Sequence, residues 1–264
     1  FGVMYWLIFS NALWSSRAMK TQAELNVARN IQHDMLPCIF PAFPERNEFD
    51  IYATMDPAKE VGGDFYDFFL VDDHHLAIVI SDVSGKGVPA ALFMVIAKTL
   101  IKNQTQPGVP LGEVFTRVND QLCENNGEGM FVTSFMGVLD LNTRELTFVN
   151  AGHNPPLLCR KGGGFEFLKT KPGFVLAGLE NMVYKEDSIQ LGAGDRIFLY
   201  TDGVTEAINS STELYGDDRL VAALNQDVNL SPEQLLAAVK TSMDAFTAGA
   251  EQFDDITMLA LEVH

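Results

Sequence analysis

Apolar and polar residues alternate over residues 49–55, which predicts a half-buried β-strand. Gly62-Gly63 marks a turn or bulge, and residues 64–71 are aromatic-rich and extended. Residues 76–81 form an apolar run short enough for a strand buried on both faces. The spacing becomes helical at 88–102 and 111–125, with Pro107-Gly108 between the two segments. Strands are expected at 132–141, 145–150, 156–160 and 165–169, the last two joined by the turn Gly162-Gly163-Gly164. Further strands are expected at 189–191 and 196–201, helices at 217–225 and 232–248, and a closing strand at 256–263. Most strand-to-strand links are too short for a crossover helix, so the sheets should be mainly antiparallel. Helices come in pairs and not one per strand. The expected class is therefore α+β, layered and not doubly wound.

The first 48 residues follow other rules. Residues 1–14 are strongly apolar but shorter than the ~20 residues needed to span a bilayer. No basic residue precedes them and no A-x-A-like site follows, so they do not read as a signal peptide. Two readings stay open: the cytoplasmic end of a membrane helix, with Arg17 and Lys20 just beyond it, or a packing or dimerisation helix. From Ser15 the pattern is helical, with Leu25, Ala28, Gln32 and Met35 at coiled-coil spacing. Pro37, Pro41 and Pro44 end it. The expected organisation is an apolar segment at 1–14, a helical linker at 15–36 and the main domain at 37–264, in the cytoplasm or at the cytoplasmic face of a membrane.

Acids recur where the predicted strands begin or end. The run Ile78-Val-Ile-Ser-Asp82 delivers an aspartate into the turn Val83-Ser-Gly85-Lys86-Gly87. Asp202 closes another strand, Asp64 opens one after Gly62-Gly63, and Asp254-Asp255 opens the last. If these strands are antiparallel neighbours, all the acids fall at one end of the sheets. Taken singly, each has a bland role: Asp82 as a helix cap, Asp-Gly as a turn. Together they predict carboxylates crowded closely enough to raise one another's pKa values. Hard divalent cations such as magnesium or manganese would relieve that repulsion.

The rest of the composition is permissive. Of 264 residues, 47% are hydrophobic and 20% charged, which suits a folded domain. A net charge of −17 argues against a nucleic-acid surface. The cysteines Cys38, Cys123 and Cys159 form no C-x-x-C pair, so neither a disulfide framework nor a zinc site is expected. Among five histidines only His153, in Asn150-Ala-Gly-His-Asn-Pro155, has a motif-like setting, read as loop-structuring.

The motifs Glu60-Val-Gly-Gly-Asp64-Phe-Tyr-Asp67, Ser81-Asp82-Val-Ser-Gly-Lys-Gly-Val-Pro-Ala-Ala91, Asn150-Ala-Gly-His-Asn-Pro155, Thr201-Asp202-Gly203-Val-Thr-Glu206 and Asp254-Asp255-Ile-Thr257 occur in one order. They resemble the SpoIIE/RsbU branch of the metal-dependent PPM serine/threonine phosphatases. The resemblance implies a four-layer α-β-β-α sandwich of two antiparallel sheets, preceded by a regulatory helix ending Asn30-Ile-Gln-His-Asp-Met-Leu-Pro37. It also implies two Mn2+ or Mg2+ ions. Asp82 is similar to the acid that bridges them and, with Asp202, carries catalysis. Asp64, the Val83 carbonyl, Asp202, Asp254 and Asp255 complete the implied ligand set. Asp67, Gly63, Lys86 and Gly203 would stand behind it. Ser81 and Ser84 are read as structural, and strand register decides which of Asp254 and Asp255 faces inward.

The implied activity is hydrolysis of a phosphorylated protein, of the anti-anti-sigma (STAS) type in partner-switching signalling. A homodimer through the N-terminal helix is a further expectation. The alternative from another class is a catalytically silent, phosphatase-like binding module. A nucleotide cyclase, suggested by Gly62-Gly63-Asp64-Phe65, lacks the acid that such a turn requires next.

Overall fold

The structure is a computed structural model, and it describes residues 2–124 and 126–264, with side chains inside α1 from residue 19 onward. The chain opens with a single helix, α1 (Gly2–Met35), about 50 Å long. The boundary expected after residue 14 is therefore not a break in the backbone. The side chains of the 1–14 segment, and Asn125 at the expected end of the 111–125 helix, lie outside the described residues. Among the described residues no helix is long and apolar enough to cross a membrane.

After the prolines come β1 (Phe49–Asp56), β2 (Phe65–Asp72), β3 (His75–Val83), α2 (Val88–Gln104) and α3 (Leu111–Cys123). Strands β4 (Val132–Asp140), β5 (Glu145–Ala151), β6 (Leu157–Cys159), β7 (Phe165–Phe167), β8 (Asp187–Gln190) and β9 (Arg196–Tyr200) follow. The chain closes with α4 (Asp202–Thr205), α5 (Gly216–Leu224), α6 (Pro232–Thr247) and β10 (Ile256–Val263). Helix α6 starts where Ser231 and Gln234 cap each other's backbone amides, an arrangement written in Ser-Pro-Glu-Gln. Helix α4 was not expected; Asp202-Gly203 reads as a turn, but the chain makes one helical turn there.

Two five-stranded sheets result, in the orders β1-β10-β9-β6-β7 and β2-β3-β4-β5-β8, and every pairing is antiparallel. Strand parity divides the core. On β10, Leu259, Leu261 and Val263 join the cluster that includes β2 and β3, whereas Met258 and Ala260 pack with Leu220, Leu235, Val239 and Met243 of α5 and α6. Helices α2 and α3 cover the other sheet through buried Met94, Ala97, Val114 and Val118. The layers are thus helix pair, sheet, sheet, helix pair.

Candidate metal centre

Antiparallel pairing brings the strand-edge acids to one end of the sandwich. Asp82 lies in β3, paired with Thr133 of β4. One step beyond the Phe65–Ser81 pair, Asp64 is the residue across from Asp82 on the same face. Asp202 and the Asp254-Asp255 pair arrive from the other sheet, at the end of β9 and the start of β10.

Burial and mutual repulsion set their acidities. Burial first, then the charges of Asp82 and Asp255, hold Asp64 well above the usual carboxylate range. Burial first, then the charges of Asp202 and Asp254, push Asp82 up to about 7. Asp202 is raised by burial, then by Glu206 and Asp254.

Two threonines absent from the sequence-derived set hold Asp64 in place. Thr201 Oγ1 and Thr257 Oγ1 donate to Asp64 Oδ2 at 2.7 and 2.6 Å, reaching from one sheet to the other. Thr257 shares the face of Leu259 and Leu261, and Thr201 that of Ile197 and Leu199, so strand parity could have found both.

Register also separates the last two acids. Asp255 shares the inward face of Thr257 and is buried. Its carboxylate is spent on backbone: Oδ1 accepts from the Ala58 amide at 2.7 Å and Oδ2 from the Gly63 amide at 2.7 Å. Asp255 therefore shapes the loop before Asp64. Asp254 faces the mouth, where its Oδ1 accepts from the Asp255 amide and its Oδ2 pairs with Lys86 at 2.9 Å.

Asp67 does not join the cluster. Three residues after Asp64 it lies on the opposite face of β2, buried under α2. There it pairs with Lys98 at 2.5 Å and Lys102 at 3.6 Å. Asp82 does not cap α2, whose N-cap is Gly87 without any side-chain bond. Ser81 donates to Ser134, and Ser84 accepts from the Phe131 amide, so both serve the fold.

Two glycines permit the close approach. A Cβ on Gly203 would stand 1.9 Å from the Asp255 carbonyl. A Cβ on Gly63 would stand 2.9 Å from the Val83 carbonyl. Because Ser84 bonds toward β4, alternation along the ladder turns the Val83 carbonyl the other way, toward Gly63.

His153 bridges the sheets beside the acids. Its Nε2 lies 3.1 Å from the Tyr200 carbonyl and so carries the proton, while Nδ1 accepts from Thr133 Oγ1 at 2.9 Å. Both nitrogens are used, and burial pushes its pKa down to about 4. A neutral, fully bonded imidazole is a strut and not a ligand.

The donor set is thus all oxygen. Among the described residues no three Asp, Glu, His or Cys side chains converge tightly enough to enclose an ion unaided. That suits magnesium or manganese, which bind through one or two carboxylates each and keep several waters. The repulsion among Asp64, Asp82, Asp202 and Asp254 gives the site a reason to take up positive charge.

From Gln32, α1 reaches the same loop. Gln32 Nε2 donates to the Gly62 carbonyl at 2.6 Å, and its Oε1 accepts from the Gly62 amide at 3.0 Å. Both ends of this buried amide are therefore committed to the residue two before Asp64.

Residues 72–264 match the family model Stage II sporulation protein E (SpoIIE). The chain is 33% identical to protein IcfG of Synechocystis sp., over 90% of this chain and 41% of that protein's length. It is 30% identical to phosphoserine phosphatase RsbU of Bacillus subtilis, over 91% of this chain and 70% of RsbU. The chain thus spans less than half of IcfG but most of RsbU. In fold it is similar to the SiaA-PP2C domain of Pseudomonas aeruginosa (TM-score 0.79, 22% identity, 94% of this chain and 98% of that one). The RsbU and RsbW domains of Rv1364c from Mycobacterium tuberculosis align with a TM-score of 0.70 at 24% identity, over 82% of this chain and 60% of that one. With the SpoIIE model spanning most of the chain, the sandwich matching PP2C domains and the acids gathered at its open end, the chain belongs to the SpoIIE/RsbU family of PPM-type serine/threonine phosphatases.

Proposed function

We propose that this chain hydrolyses phosphoserine or phosphothreonine on a protein substrate, with two Mn2+ or Mg2+ ions held by Asp64, Asp82, the Val83 carbonyl, Asp202 and Asp254. The observation that carries this reading is the gathering of four mutually repelling carboxylates, two from each sheet, at one open end of the sandwich. Such ions, when bound, activate a water and neutralise charge on phosphoryl oxygens. The chain's own groups prepare that chemistry. Thr201 and Thr257 fix Asp64, and Asp255 fixes the Gly63 amide, so the acids are held before any ion arrives. Asp82 lies among the other acids, which supports a central role shared between the ions. No serine or cysteine nucleophile is needed, in keeping with the structural roles of Ser81 and Ser84.

The substrate in this reading is a phosphorylated STAS-type protein. Support comes from the names of two relatives, the phosphoserine phosphatases RsbU and RsbP, and from the joining of RsbU and RsbW domains in the mycobacterial structure. Magnesium is supported by the complex of RsbX, a fold neighbour, with that ion. Helix α1 is the regulatory element, acting through Gln32 on Gly62. Its exposed Val27 and Ile31, one turn apart on α1, support pairing with a second copy.

The test is phosphate release from a phosphorylated STAS-type protein. Release should require Mn2+ or Mg2+, stop with EDTA and return on adding the metal. An intact, metal-loaded chain that releases none from this substrate or from a generic aryl phosphate would instead be the silent binding module.

A further inference from the structure

Lys86 reaches the carboxylate cluster from the turn between β3 and α2. Its Nζ lies 2.9 Å from Asp254 Oδ2, donates to the Phe253 carbonyl at 2.5 Å and sits 3.7 Å from the centre of the Phe253 ring. Its charge is also felt at Asp202. The side chain is 28% exposed, so it is not a freely solvated turn lysine. A carboxylate, a carbonyl and an aromatic face close on one ammonium, the arrangement that a tethered cation needs to stay put.

We infer that Lys86 is a built-in competitor for the divalent ion at Asp254. The inference rests on the metal reading above and adds a residue which that reading does not use. Asp254 has two oxygens. Oδ1 is engaged by the Asp255 amide. Oδ2 is engaged by Lys86. An ion that takes Asp254 as a ligand would therefore meet the lysine's charge at Oδ2, whether it shares that oxygen or takes the lysine's place. The lysine's charge and an ion's charge thus compete for the same carboxylate.

The test is calorimetric titration of the metal-stripped chain with Mn2+ alone, with no substrate and no turnover. K86M should bind Mn2+ tighter by roughly twofold to fivefold, the scale of a partly exposed ion pair. K86R keeps the charge and should stay near wild type. K59M removes an equal charge beside the same turn, since the Lys59 side chain packs 3.8 Å from where a Cβ on Gly87 would lie, and it should also stay near wild type. F253A strips the aromatic seat from an exposed position and should tighten binding by less than K86M does. Unchanged affinity in K86M, or equal tightening in K59M, overturns the inference. Wild-type protein that binds no Mn2+ overturns the metal reading and this inference with it, whereas wild-type binding with an inert K86M overturns only the inference.

Discussion

At the scale of residues, the site depends on groups that position acids as much as on the acids themselves. Thr201 and Thr257 are the clearest case, since both hydroxyls converge on one oxygen of a fully buried Asp64. T201V and T257V, which keep shape and lose the hydroxyl, should each weaken Mn2+ binding by about tenfold to a hundredfold, as loss of such supporting bonds does elsewhere. Calorimetry on the two variants checks this, and wild-type affinity in both would refute it.

His153 gives a second residue-scale prediction, on stability. Its folded pKa, about 4, lies below the unfolded value of ~6.5. Between those values the unfolded chain holds a proton that the folded chain refuses. Stability from this strut is therefore complete above about pH 6.5 and is lost as pH falls toward 4, to the extent of roughly 3 kcal/mol. Urea melts of wild type and H153Q at pH 7 and pH 5 should show the larger loss in wild type. An equal loss in both would remove His153 from the account.

The acids were legible one by one in the sequence because strands end abruptly in this chain and an aspartate at a strand edge stands out. Their supporting groups were not legible. Thr201 and Thr257 look like ordinary strand residues until the two sheets are stacked. Asp67 stands apart from the ligands because three residues from Asp64 is the wrong parity for one face. Its partner, Lys98, sits on a helix whose docking no local pattern reveals.

At the scale of elements, α1 is tied to the loop that delivers Asp64. Leu36 enters the core, Tyr66 donates to the Pro37 carbonyl at 2.7 Å, and Gln32 holds both backbone groups of Gly62. Removing the amide leaves a buried N–H and C=O without partners, at a cost of about 1–3 kcal/mol for each group. Q32A should therefore loosen the loop and lower Mn2+ affinity while leaving the far helix pair α5–α6 intact. Hydrogen exchange should show faster exchange at residues 60–64 and unchanged exchange in α6; unaltered exchange at Gly62 would contradict the coupling. Helical spacing revealed α1 but not its anchoring, because Gln32 reads as one more coiled-coil position.

At the scale of the whole molecule, the fold was legible because short links forced antiparallel pairing and the hydrophobic period switched cleanly between strand and helix. The stacking of two sheets was not in that pattern; it came with the family resemblance, and the structure bears it out. The stacking is what turns scattered acids into one site, since Asp64 and Asp82 come from one sheet and Asp202 and Asp254 from the other. Ions bound there would join the sheets at their open end. Ligand that binds only the folded state stabilises it by mass action, by about 2.7 kcal/mol at a hundredfold excess over Kd. EDTA-stripped protein should melt several degrees below protein in millimolar Mn2+, and calorimetric or fluorescence melts check this.

The central claim is that Asp82 stands between two metal positions. The most direct measurement is the Mn2+ stoichiometry of wild type and Asp82→Asn, by calorimetric titration of stripped protein whose fold is verified by circular dichroism. The account predicts two ions per wild-type chain and loss of tight binding at both positions in Asp82→Asn. Two ions bound with wild-type affinity by a folded Asp82→Asn chain would contradict it.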